Sequence, residues 1–228
     1  MKIGHVIKPF KHQNSMDAAS AQMVWEDLDK SIDEIYKKNA SKLSFEELYR
    51  KAYNLVLHKH AEMLYESVRK KLTRNLTEAV EQRLADRPDD DLLLGIDAVW
   101  TDHIISSKMI RDILMYMDRA YVVQHKKIGV YSMSLQIFRE VIVFNENVRD
   151  RMRSIILSNI YEERCGQVID RSMLRSILAM LVDLNVDGVN VYEEDFEQHF
   201  IESTRNFYRD ESQNFLQQNC RFSNEQYS

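Results

Sequence analysis

Between residues 60 and 86 an apolar side chain recurs at every fourth position, and the stretch contains neither glycine nor proline. A spacing of four keeps these side chains on one side of an α-helix, as a seam that drifts slowly around it. The stretch therefore predicts a long helix buried along one side. The seam consists of Leu64, Val68, Leu72, Leu76, Val80 and Leu84.

The same helical pattern extends over nearly all of the chain. Its 228 residues include only 5 glycines and 2 prolines, against averages of roughly 7% and 5%. We therefore predict an all-α fold of eight or nine helices with short connections, forming a bundle or a stack of helical units. Val189–Val191 is the best strand candidate and is too short to matter.

Helix boundaries follow from caps and breakers. Ser15 is a plausible N-cap for a first helix to about Lys38, Ser44 begins a second pattern that runs to about Asp86 with one break, and Pro88 stops it. Gly166 and Gly188 fall where a glycine just past a helix belongs. Further helices are predicted at 91–107, 108–126, 132–144, 146–164, 170–184 and 192–218.

The start of the second helix carries the most informative local sequence. Ser44 and Glu47 have the spacing of a capping box, and Leu43 and Leu48 occupy the positions of a hydrophobic staple. Phe45, Tyr49 and Tyr53 then recur every four residues, beside Leu48, Ala52 and Leu55 and bordered by Glu46 and Arg50.

That aromatic stripe has two readings. Together the rings and aliphatic residues cover an arc of about 160°, wider than the ~100° that one core contact needs. Aromatic side chains next to charges are typical of protein-binding surfaces, but periodicity alone equally allows all three rings to lie in the core. Tyr116 and Arg119 form a second candidate, whose alternative is an ordinary solvated helix face.

Signals of catalysis are absent from the sequence. It contains no glycine-rich phosphate loop and no common hydrolase or zinc-protease motif. His58 and His60 are about 200° apart on a helix and cannot chelate one metal, while His103 and His199 stand alone. We therefore expect no catalytic residue, no metal site and no cofactor.

Charge and apolar patterning narrow the classes of partner. The net charge is −5 and the pI about 5.8, so nucleic acid is not an expected partner, and Arg69–Lys71 is predicted to be a solvated helix face. No apolar run reaches ~18 residues, which argues against a membrane span or export. Two cysteines, Cys165 and Cys220, fit reduced thiols in the cytoplasm or nucleus.

Several ordered motifs resemble the cullin family, and within it the cullin-3 branch. Ser44–Arg50 with Ala52-Tyr53 and Leu57–His60 resembles the second cullin helix, and Met109–Arg119 the fifth-helix region. The stretches 163–171, 192–197 and 207–212 are also cullin-like. The resemblance covers about residues 15 to 220.

The resemblance implies a scaffold of a cullin-RING ubiquitin ligase, built as a cullin-repeat solenoid, whose N-terminal region binds BTB-domain substrate adaptors. It implies a first repeat at 15–130 and the start of a second at 131–228. Residues 1–14 show no helical period and are either a frayed terminus or a flexible N-terminal arm, whose Val6, Ile7 and Phe10 could take the place of the apolar extension that lies beside the adaptor in relatives. The positions matching the adaptor-facing ones are Leu43, Ser44, Phe45, Glu46, Tyr49, Tyr53, Tyr116 and Arg119.

Two further expectations follow from the resemblance. The region that recruits the RING protein, and the lysine that accepts NEDD8, would lie beyond residue 228, so a RING partner is expected only if a C-terminal half exists. The alternative to a ligase scaffold is a helical structural or oligomerisation module that binds no adaptor.

Overall fold

The computed structural model describes residues 16–186 and 188–225, with side chains to residue 217, and contains no strand among them. The N-terminal arm, Ser15 and Cys220 lie outside the described residues and side chains. The all-α prediction is confirmed. The helices are α1 (Ala18–Tyr36), α2 (Phe45–Leu57), α3 (Ala61–Arg83), α4 (Asp89–Ile113), α5 (the single turn Met115–Met117), α6 (Val130–Phe138), α7 (Glu146–Arg164), α8 (Arg171–Asp183) and α9 (Gln198–Glu225).

Shorter helical segments connect several of these helices. A 3-10 turn, Ala40–Lys42, lies between α1 and α2. Three π-turns of five residues each follow α5, follow α6 and precede α9. They are Asp118–Val122, Arg139–Val143 and Glu193–Glu197.

One compact unit combines the described residues up to Lys71 with Ser106–Val130. In this unit α2 packs against both α1 and α5. The buried line of α2 consists of Leu48, Ala52 and Leu55, so this helix directs these three residues inward, as their periodicity predicts. The buried residues of α1 are Ala21, Trp25, Leu28, Ile32 and Ile35.

Lys71 corrects one prediction within this unit. Arg69 and Lys70 are exposed as expected, but Lys71 is only 2% exposed. Its ammonium group lies 3.0 Å from a carboxylate oxygen of Asp29 and 2.7 Å from one of Asp33. A buried ammonium group requires such partners, and they come from α1, so the local charge run could not reveal them.

The second compact unit combines Leu72–Ile105 with the described residues from Tyr131 onward. Here α7 packs on α9, and the Trp100 ring meets the Phe138 ring edge-on, with centroids 4.9 Å apart. His103 is buried beside Phe138, and its Nε2 lies 3.0 Å from the Ser134 carbonyl oxygen. Burial lowers the pKa of His103 to about 4, so the imidazole is neutral at pH 7.

Most predicted helix boundaries are confirmed. The six seam residues are all buried, and α7 has the predicted bounds. The one break predicted between Ser44 and Asp86, whose position the sequence did not give, falls after Leu57 as a Schellman-type helix end: Lys59 has a positive φ of 68°, and the His60 N–H donates to the Leu55 carbonyl over 2.8 Å. Gly166 follows α7 with φ +88°, as a glycine just past a helix should.

Other boundaries are corrected. The predicted helices 91–107 and 108–126 are not separate, because α4 continues through Ser106 and Ser107, which are buried and offer no breaker. The N-cap of α1 is Asp17, whose carboxylate accepts from the Ser20 N–H over 2.8 Å. Gly188 lies beyond the cap of α8, which is Leu184, so it does not end that helix.

The predicted repeats, 15–130 and 131–228, stay a prediction, because compactness alone does not define a sequence repeat. As for membranes, none of the helices in the described part of the chain combines the length and apolar character that crossing a bilayer demands.

Candidate functional site

The N-terminus of α2 sets the position of the aromatic stripe. Ser44 has extended backbone angles, and its hydroxyl accepts from the Glu47 N–H over 3.3 Å, which confirms the predicted N-cap. Glu47 places its carboxylate 3.2 Å from the Lys51 ammonium group. The cap fixes the first turn of α2, and with it the direction in which Phe45 and Tyr49 project.

The structure decides between the two readings of the stripe. Phe45 is 37% exposed, and Tyr49 and Tyr53 are half-buried, whereas Leu48, Ala52 and Leu55 are buried. The three rings are therefore not sealed in the core. They form the outer edge of α2, where a partner could contact them.

Tyr116 joins this edge from α5. Its ring centroid lies 4.4 Å from that of Tyr53, which in turn stacks on Tyr49 with centroids 6.4 Å apart. Aromatic pairs at such distances attract each other beyond their simple burial. Tyr49, Tyr53 and Tyr116 thus form one continuous set of half-buried rings, which we call the aromatic ladder.

Arg119 lies on the π-turn that follows α5, and its side chain is exposed. Asp118, the first residue of this turn, ties it to the start of α6, because its carboxylate accepts from the Val130 N–H over 3.0 Å. Burial raises the pKa of Asp118 above its ordinary value. Widened turns of this kind occur frequently at functional sites, and this one directs Arg119 into solvent.

The segment after the π-turn is tied to α3. The Tyr65 hydroxyl donates to the Ile128 carbonyl over 2.9 Å, and burial raises the pKa of Tyr65. The Lys127 ammonium group lies 3.3 Å from the Glu66 carboxylate and 4.7 Å from the centre of the Tyr65 ring. These contacts hold the segment that follows the π-turn against α3.

The edge beside the ladder carries paired charges. Glu46 and Arg50 are exposed, with 3.8 Å between their charged groups, and Lys51 lies 3.3 Å from an oxygen of Asp27. Exposed ion pairs contribute little to stability. These charges are instead placed where they could orient a partner that contacts the neighbouring rings. Leu43 is half-buried, and Ser44 is exposed at the same end.

All eight predicted site residues therefore lie at two neighbouring elements, α2 with its preceding residues and α5 with its π-turn. We call this set the docking face. Each of its members is exposed or half-buried. The ring contact between Tyr53 and Tyr116 joins its two parts.

Sequence reasoning missed two apolar residues near this face. Leu57 is 49% exposed and Met115 is 37% exposed. Leu57 follows Tyr53 by four residues, so extending the stripe by one more step would have found it. Met115 gave no comparable signal, because its exposure depends on the turn at Leu114 that separates α5 from α4.

Among the described residues, no group of three or more histidine, cysteine or acidic side chains is placed to hold a metal ion. The His60 ring nitrogen lies 2.9 Å from the Met16 carbonyl oxygen, and the exposed Cys165 is a free thiol. What the arrangement offers is a shaped, partly apolar surface.

Comparison with known proteins adds an independent finding. A family model described as the cullin alpha solenoid domain matches residues 25–226. The chain is 39% identical to Cullin-3B of Arabidopsis thaliana over 211 residues, covering 92% of this chain and 28% of that protein. It is 41% identical to Cullin-3 of Dictyostelium discoideum over 193 residues, covering 85% of this chain and 25% of that protein.

A third relative extends the pattern to animals. Cullin-3 of Caenorhabditis elegans is 36% identical over 211 residues, which cover 92% of this chain and 27% of that protein. The chain thus spans about a quarter of the length of the curated relatives it matches.

Proposed function

This chain belongs to the cullin family, and on that premise we propose that it is the adaptor-binding part of a cullin-RING ubiquitin ligase scaffold, with BTB-domain proteins as its adaptors. The similarity to proteins named Cullin-3 supports this proposal at the level of the family. The choice of adaptor class comes from the resemblance of 44–60 and 109–119 to the adaptor-facing helices of that branch.

The observation that carries the proposal is the aromatic ladder. Its rings are exposed enough to be contacted, and each ring packs on the next. Side chains already held in one arrangement lose little conformational freedom when a partner binds. Tyrosines with an arginine nearby are the residue types that contribute most to binding at protein interfaces, and Arg119 supplies that arginine.

The mechanism we propose is positional. A rigid helical scaffold would hold a substrate-bearing adaptor at a fixed distance from the ubiquitin-loaded enzyme, which raises the effective concentration of the substrate there. The scaffold itself would carry no catalytic group. The RING-binding region of such a ligase would belong to sequence outside these 228 residues.

The proposal is tested by titrating the chain with BTB-domain proteins in a calorimeter, taking the adaptor that binds most tightly from a panel. Tyr49→Ala and Phe45→Ala should each weaken binding by about 30-fold or more, because each removes an interface ring worth about 2 kcal/mol. Both rings lie at the surface, so the thermal unfolding midpoint should change little.

Tyr208→Ala provides the matched control. Tyr208 is 54% exposed on α9, away in sequence from the docking face, and its loss should leave the affinity unchanged. Unaltered binding by both docking-face variants would refute the proposed surface. Failure of every BTB-domain protein to bind, with self-association of the chain in sedimentation, would favour the oligomerisation module instead.

A further inference from the structure

The aromatic stripe does not end at Tyr53. Phe45, Tyr49 and Tyr53 are followed at the same four-residue spacing by Leu57, the last residue of α2. Residues four apart on a helix are neighbours on one face. Leu57 is 49% exposed, more than Phe45 at 37%, so the stripe ends in an exposed aliphatic side chain.

The exposure of Leu57 is not the result of a frayed helix end. The His58 N–H donates to the Asn54 carbonyl over 3.0 Å, and the His60 N–H donates to the Leu55 carbonyl over 2.8 Å. Lys59 adopts the left-handed backbone, with φ 68°, that this closure requires. A lysine there is strained relative to glycine, and the closure holds Leu57 in a fixed position.

We infer that Leu57 is a binding residue of the docking face, where it contacts an apolar side chain of the BTB-domain adaptor. The inference rests on the proposed function, since the occupant is the adaptor already assigned to the aromatic ladder. Continuity with the ladder supports it: the stripe presents rings at three steps and a leucine at the fourth, all on one capped helix. Binding would bury the part of the Leu57 side chain that is now exposed to water, and burial of apolar surface is favourable.

The experiment measures adaptor affinity for Leu57 variants of the whole chain by calorimetry, with the BTB-domain protein that binds the unaltered chain most tightly. Leu57→Ala should weaken binding about fivefold, since roughly half of a leucine's burial is lost. Leu57→Glu should weaken it by at least about 30-fold, because a carboxylate would be desolvated opposite an apolar group. Leu57→Met, which conserves volume, should bind as the unaltered chain does.

Leu94 offers a matched control, because it is a leucine on α4 that is 51% exposed. Leu94→Ala should leave the affinity unchanged. If Leu57→Ala and Leu57→Glu bind normally while Tyr49→Ala binds weakly, the inference about Leu57 is wrong and the proposed function stands. If Tyr49→Ala also binds normally, both are wrong.

Thermal unfolding separates binding from folding in each variant. Should Leu57→Ala lower the unfolding midpoint, Leu57→Gln replaces it, since glutamine is long, polar and favourable in helices. Weaker binding by a Leu57→Gln variant with an unchanged midpoint supports the inference, and normal binding by that variant overturns it.

Discussion

The described residues carry two aromatic surfaces that differ in how far their side chains are exposed. On the docking face, Tyr49, Tyr53 and Tyr116 are half-buried and packed against one another. The second, which we call the α9 surface, is more exposed: Tyr208 is 54%, Phe215 65% and Leu216 63% accessible. Exposure alone would therefore rank the α9 surface above the docking face.

Packing of the rings does not by itself separate the two surfaces. The docking-face rings lie on α2, which has a capped start and a closed end, and on α5, directly before the π-turn held by Asp118. Near the α9 surface, the ring centroids of Phe207 and Tyr208 are 5.3 Å apart, and the Arg164 guanidinium group lies 5.7 Å from the centre of the Tyr208 ring. Rings on both surfaces are thus held before binding and have less freedom to lose, so the proposal for the docking face rests on its resemblance to the adaptor-facing helices together with its ladder.

Acidification should have the largest effect of the changes considered. It should lower the free energy of unfolding through His103, which belongs to neither aromatic surface. The pKa of His103 is about 4 in the fold and about 6.5 in the unfolded chain. The stability gained by keeping it neutral is fully present above pH 6.5 and is lost as pH falls to 4. The loss should reach about 3 kcal/mol near pH 4, measured as the difference in the free energy of urea unfolding between pH 7 and pH 4.

His103→Gln isolates this contribution, because its amide can still donate to the Ser134 carbonyl but does not titrate. The variant should lose less stability on acidification and should bind the adaptor normally at pH 7. Weak adaptor binding by a folded His103→Gln chain would contradict the assignment of binding to the docking face, because His103 lies on α4 and outside that face.

A smaller effect tests whether the ladder acts as a unit. Tyr53→Phe and Tyr116→Phe leave the rings in place, whereas Tyr53→Ala and Tyr116→Ala remove them. Because the two rings lie 4.4 Å apart, the alanine variants should be non-additive in adaptor binding, with a coupling of about 1 kcal/mol. A double-mutant cycle by calorimetry measures this coupling.

The corresponding cycle uses Phe207, the neighbour of Tyr208 on α9, and Tyr161 of α7, whose ring centroid is 5.6 Å from that of Phe207. Neither alanine variant should alter adaptor affinity, and their coupling should be zero. Additive effects of Tyr53→Ala and Tyr116→Ala on binding would show that the rings contribute separately, contrary to the pre-organised ladder.

Local sequence predicted those features that depend on local physics. The Ser44 cap, the bounds of α7 and the left-handed Gly166 follow from residue type and spacing alone. The outward stripe of α2 was predicted only as one of two readings, because periodicity shows which residues share a face and not which face is covered. The packing of α2 on α1 and α5 supplied the answer.

Features that depend on distant partners could not be predicted. The π-turns are one example, because each contacts residues far away in sequence. In the first π-turn the Asp118 carboxylate accepts from the Val130 N–H, and in the second Arg139 donates to the Val186 carbonyl over 3.0 Å. Lys71 is another case, since Asp29 and Asp33 lie on a different helix. The contact between Tyr53 and Tyr116 likewise joins residues that are far apart in sequence.

Hydrogen–deuterium exchange of the whole chain, with and without the BTB-domain adaptor that binds most tightly, tests the central claim most directly. Bound adaptor should slow exchange of the backbone amides in 45–60 and 115–123 and leave 198–217 unchanged. Slower exchange confined to 198–217, with 45–60 unaffected under saturating adaptor, would contradict the assignment of the docking face.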